Sequence, residues 1–87
     1  MVSVKSVILK ILSVNMDIGE KIYDVEDDES LFDYGMDSLQ MMRSIVEIEK
    51  TLKFQFCDED LLTANFTSIA SIALAVEAAL LAEKNEI

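Results

Sequence analysis

The chain has 87 residues, with 17 acidic side chains against 7 basic ones and no histidine, a net charge of −10 at pH 7. One domain fits this length and two do not, and a chain of this size, burying about 60–65% of its unfolded surface, can build one modest core but no deep enclosed cleft besides. The charge argues against nucleic acid and anionic membrane surfaces as partners and favours a basic protein, while 52% apolar residues argue against disorder.

Val4, Val7, Ile8, Ile11 and Leu12 recur at helical spacing, with Lys5, Ser6, Lys10 and Ser13 elsewhere on the wheel. They predict a first helix from about Val4 to Val14, with Ser3 as N-cap. From Asn15 to Asp37 the periodicity is lost. Both glycines, Gly19 and Gly35, lie in this stretch, with nine acids opposed only by Lys21. So long a loop tends to be functional or partly structured. Ile22, Val25, Leu31 and Phe32 are candidates to pin it to the core, and Ser30 to begin a short helical turn.

A second helix is expected from about Ser38 to Lys53, capped by Asp37, with Met41, Ile45, Ile48 and Leu52 as its core stripe. Phe54-Gln55-Phe56 alternates, but three residues between helices read as a connector. Asp58 to Leu62 predicts one short helical turn. Thr67 or Ser68 caps a last helix whose stripe is Ile69, Ile72, Ala73, Val76 and Leu80, fraying near Glu83 to Ile87. There is no proline and no clean strand alternation. The expected fold is all-α: a four-helix bundle of three longer helices and one short third helix, with a long first loop, forming a single domain over residues 1–87.

The inventory restricts the chemistry. No histidine and one cysteine are too few ligands for a structural zinc site and preclude an internal disulfide. Lys5 and Lys10 interrupt the first apolar stretch, unlike a signal peptide, and the apolar run near Ile72 to Val76 is far short of the ~20 residues of a membrane span. A soluble, cytoplasmic protein is expected. Asp24, Glu26, Asp28 and Ser30 have the alternate spacing of an EF-hand loop, but Glu29 stands where glycine is needed and Gly35 where the bidentate glutamate is needed. A solvated acidic loop is the simpler reading, so no metal site is assigned. Cys57 has no base beside it, and its acidic neighbours Asp58, Glu59 and Asp60 disfavour a thiolate. Neither GxxxxGK(S/T) nor GxGxxG, the glycine motifs that cradle phosphates, is present.

Ser38 directly follows the Asp37 cap. As a nucleophile it lacks a histidine or nearby lysine base, so no catalytic residue is assigned. As an acceptor of a phosphate ester it is well placed, because a helix start offers free N–H groups and the positive dipole end. The plain alternative is that Ser38 merely begins a helix. The second helix also carries another apolar row, Leu39, Met42 and Val46, starting beside Ser38. This is either a docking surface or part of a wide face buried against two neighbours.

The stretch Asp33-Tyr34-Gly35-Met36-Asp37-Ser38-Leu39 resembles the phosphopantetheine-attachment motif of acyl carrier proteins, roughly (D/E)-x-G-x-D-S-L. Ser30-Leu31-Phe32 is similar to the hydrophobic anchor before that motif. Phe56 to Leu61 resembles the segment opening the family's short third helix, and Asn65 to Ile69 the start of its last helix. The resemblance spans nearly the whole chain. It implies a monomeric four-helix carrier without catalysis of its own. A phosphopantetheinyl transferase, using Mg²⁺ and coenzyme A, would attach 4′-phosphopantetheine to Ser38. The arm's thiol would carry acyl groups as thioesters for fatty acid, polyketide or related secondary-metabolite biosynthesis. It further implies that Asp37, Leu39, Met42, Val46 and Glu49 face basic docking surfaces on acyl-transferring, ligating or condensing enzymes.

The chain departs from the pattern in three places. Cys57 replaces the usual proline, and Arg43 and Lys50 stand where fatty-acid-synthase carriers are often acidic. These differences favour a specialised carrier over the housekeeping one. A free-standing peptidyl or aminoacyl carrier is the alternative within the family, against which Met36 argues. An acidic helical adaptor without a prosthetic group is the alternative from another class.

Overall fold

A computed structural model describes residues 3–56 and 66–84. Three long helices form the frame: α1 (Val4–Asn15), α2 (Ser38–Leu52) and α3 (Ile69–Lys84). The long first connection contains two 3-10 turns, Gly19–Asp24 and Leu31–Tyr34, and there is no strand among the described residues. The short helical turn expected at Asp58 to Leu62, and Cys57 before it, lie outside the described residues. α3 continues through Lys84, and the rest of the expected frayed end, residues 85–87, also lies outside them.

Each helix begins at a side-chain cap. The Ser3 hydroxyl accepts from the Ser6 N–H at 3.1 Å, and the Asp37 carboxylate accepts from the Gln40 N–H at 2.7 Å. At the head of α3, Ser68 and Ser71 cap one another: each hydroxyl accepts the other's backbone N–H, at 3.1 and 3.0 Å. This reciprocal arrangement satisfies two otherwise orphaned donors with serine in the place usually held by glutamate. α2 ends one residue earlier than its periodicity suggests, because Lys53 turns into the left-handed region at φ 57°.

α1 packs against α2, α3 and the first 3-10 turn. Ile8 and Leu12 of α1, Ile48 of α2, and Ile69 and Val76 of α3 meet in a core that also takes Ile22 and Leu31 from the long connection. Val25 is buried and Phe32 packs on the core edge, so all four anchors expected in that connection reach it. Two backbone bonds fasten it to the head of α3: Leu31 N–H to the Thr67 carbonyl at 2.7 Å, and Ala70 N–H to the Asp27 carbonyl at 2.9 Å.

Two details differ from the sequence reading. Phe54-Gln55-Phe56 is irregular, as a connector should be, yet both phenylalanines are core residues. Phe56 lies between Phe54 and Phe66 in edge-to-face contacts, with centroids 4.8 and 5.4 Å apart. On α3, Leu80 is only partly buried while its neighbour Ala79 is buried. The small side chain faces the core and the larger one covers its margin.

Candidate functional site

The approach to α2 is a sequence of tight backbone turns. The Leu31–Tyr34 turn stops at Gly35, whose φ of 94° is left-handed, and the Gly35 and Met36 N–H groups bond back to the Phe32 and Leu31 carbonyls. No atom lies within 4 Å of where a Cβ would sit on Gly35. Glycine is therefore required there for its backbone angle and not for space. The chain then buries Met36 at 5% exposure, anchoring the turn from below. Asp37 emerges extended and caps α2, so Ser38 stands exposed at the first helical position.

The N–H groups that open a helix have no intrahelical acceptor. At α2 the Asp37 carboxylate takes one of them, Gln40 N–H, while its carbonyl accepts the first regular helical bond, from Met41 N–H. Those of Ser38 and Leu39 remain at the dipole's positive end beside the Ser38 hydroxyl. One oxygen of the Asp37 carboxylate caps the helix, which orients the turn that presents Ser38.

The Tyr34 hydroxyl donates to the Glu29 carboxylate, which also accepts the Glu26 N–H at 3.4 Å. This bridges the acidic stretch to the turn before Ser38. The hydrogen bond to Glu29, with smaller effects from burial and from the negative charges of Glu29, Asp33 and Glu26, raises the Tyr34 pKa above the ordinary phenol value. Elsewhere in the connection, Lys5 pairs with Asp27 at 2.9 Å, both about half exposed. Such a pair contributes little to stability. Among the described residues, no three acidic, histidine or cysteine side chains gather where a metal ion could be held.

From Ser38, α2 divides into two rows. Met41, Ser44, Ile45 and Ile48 are buried, with the Ser44 hydroxyl donating to the Gln40 carbonyl at 2.9 Å. Leu39, Met42 and Val46 are 59%, 51% and 39% exposed. The structure thus places Ser38, Asp37, Leu39, Met42 and Val46 on one continuous accessible face. Glu49 is different: it is half-buried, and its carboxylate accepts the Phe56 N–H at 2.9 Å. That bond holds the aromatic connector onto α2. The sequence reading missed Met36 and this second task of Glu49. An apolar residue between Gly35 and Asp37 was the available signal for Met36; a bond spanning seven residues across a helix end leaves no periodic trace.

A family model described as "Phosphopantetheine attachment site" matches residues 4–76. No curated protein and no solved structure matches significantly. Among the described residues, no helix is long and apolar enough to cross a membrane.

Proposed function

The chain belongs to the phosphopantetheine-attachment family, whose domain receives covalent 4′-phosphopantetheine, and from that premise we propose that the attachment point is the Ser38 hydroxyl. The observation that carries this is the position of Ser38: exposed, first in α2, between a capped turn and an apolar row. The residues fit the group. The N–H groups of Ser38 and Leu39 open α2 beside the Ser38 hydroxyl, where the helix dipole would favour the charge of a phosphodiester. Leu39 and Met42 offer apolar surface just beyond.

When bound, the group supplies a terminal thiol that carries acyl chains as thioesters. The protein's own contribution is presentation. Gly35 and Asp37 fix the turn, Met36 anchors it, and Ser38 is held outside the core. The chain has no histidine to serve as a base beside Ser38, so the activating base is assigned to a phosphopantetheinyl transferase, and the chain is a carrier and not an enzyme. A cytoplasmic location accords with coenzyme A as the donor. The acyl-transferring, ligating or condensing enzymes that follow meet a monomer whose attachment end, with Asp33 and Asp37 exposed, suits basic surfaces. The departures at Arg43 and Lys50 favour a dedicated lipid, polyketide or related secondary-metabolite pathway over housekeeping fatty acid synthesis.

The test is intact-protein mass spectrometry after incubation with coenzyme A, Mg²⁺ and a broad-specificity transferase. The wild type should gain one phosphopantetheine and Ser38→Ala none. A folded wild type that gains nothing, or a Ser38→Ala variant that gains the group, contradicts the assignment.

A further inference from the structure

Leu39, Arg43, Val46 and Lys50 fall four, three and four residues apart, which places them on one stripe of α2, and the C-cap Lys53 extends it past the helix end, lining one surface with Val46 and Lys50. All five are exposed. The stripe holds three of only seven basic residues in a chain of net charge −10. The helix dipole explains a preference for cations at Lys50 and Lys53, near the C-terminal end, but not at Arg43 in mid-helix. No local ion pair explains them either: among the described residues, none of the three has a carboxylate within 4 Å, the one such pair being Lys5–Asp27. The two acids on α2, Glu47 and Glu49, offset part of this charge, one turn from the bases, but three exposed bases against two half-buried acids leave the stripe net positive. Glu49 is engaged with Phe56 N–H, and Glu47 is half-buried at the edge, where it also lines a groove with Val7, Ile11 and Val14 of α1. Met42, Arg43, Val46, Glu47 and Lys50 line a shallow concave surface together.

The accessible face of α2 is therefore bipolar. Asp33 and Asp37 make its attachment end negative, while Arg43 and Lys50, about 8 and 18 Å along the axis from Ser38 at 1.5 Å per residue, make its far end positive. We propose that this face docks a partner protein with an apolar groove for Leu39, Met42 and Val46, a basic rim at the end nearest Ser38 and an acidic rim opposite Arg43 and Lys50. The inference rests on the carrier reading and adds the sign of the partner's distal rim. Charges at the edge of an interface act mainly on encounter rate and partner choice, which makes the arrangement a selector: an enzyme basic along its entire docking surface is repelled at the distal end.

A charge-swap experiment tests this. The wild type, Arg43→Glu, and Arg43→Glu/Lys50→Glu would be loaded by a phosphopantetheinyl transferase with a wholly basic docking rim. They would also be loaded by the same transferase with one distal rim base changed to glutamate. The substituted residues are exposed, and circular dichroism would confirm folding. The proposal expects the basic transferase to load the acidic variants about threefold faster or more at low salt, the reversed transferase to prefer the wild type, and both differences to shrink at roughly 0.5 M salt. Full loading at rates indifferent to these charges, or the same preference with both transferases, overturns the inference and leaves the carrier reading intact. No mass gain in any pairing contradicts Ser38 loading itself and removes the basis of both.

Discussion

The two apolar rows of α2 are built from similar residues and face opposite environments. Met41, Ile45 and Ile48 are buried against the rest of the bundle, whereas Leu39, Met42 and Val46 are open. Composition does not distinguish them: each has a methionine and aliphatic side chains. Position relative to α1 does. A small bundle has enough neighbouring surface to cover one face of α2, and the row left open is the one that starts at Ser38. Apolar area kept in water does not help the fold, so its presence beside an attachment site is read as function, and its counterpart as stability.

That contrast can be broken by substitution. The largest expected effect is at Ile45, buried to 5%. Ile45→Ala should destabilise the protein by about 2–5 kcal/mol in urea unfolding, with loading of the remaining folded protein retained. A near-neutral result would mean that the rows are interchanged. Next comes the cap on which both rows depend: Asp37→Ala removes the acceptor of Gln40 N–H and should cost about 1 kcal/mol, while also slowing loading because the turn presenting Ser38 loosens. On the open row the balance reverses. Leu39→Ala and Met42→Glu should each change stability by less than about 0.5 kcal/mol, as exposed substitutions do, while slowing loading or acyl handover clearly. Parallel losses of stability and transfer would place these side chains in the core.

The smallest effect concerns the segment that leads into the open row. Because the bond to Glu29 favours the neutral phenol, Tyr34 should titrate above the usual value of about 10. Its folded pKa lies above its unfolded one. The associated stabilisation is therefore complete below about pH 10 and disappears as pH rises through the folded value. Phenolate absorbance in a Tyr23→Phe background isolates Tyr34, and Glu29→Gln should bring its titration down. An unchanged curve would mean that this bridge does not persist in solution.

Much of this was legible in the residues. Helical spacing located α1, α2 and α3 to within one or two residues, because each carries a periodic stripe beginning at a serine or aspartate cap. Ile22, Val25, Leu31 and Phe32 betrayed the pinned loop by being apolar in an acidic run. The Gly19–Asp24 turn was not visible, since a 3-10 turn is too short to show a period. Phe54 and Phe56 read as a linker because their burial depends on Phe66, distant in sequence. The bond from Phe56 N–H to Glu49 was hidden for the same reason: it is tertiary. At the site, the attachment motif and the open row were both readable. What the fold added is that Asp37 caps α2 through Gln40 N–H, that Glu49 is partly structural, and that Arg43 and Lys50 are exposed together with Leu39 and Val46.

The central claim is that α2 presents Ser38 for modification and keeps its buried row for the fold. The most direct measurement is the intact mass of wild type, Ser38→Ala and Met42→Glu after timed incubation with coenzyme A, Mg²⁺ and transferase, beside their thermal melts. The account predicts complete single loading of the wild type, none for Ser38→Ala, slowed loading for Met42→Glu, and three similar melting temperatures. Loading at another residue, or a Met42→Glu protein that melts far below the others, would contradict it.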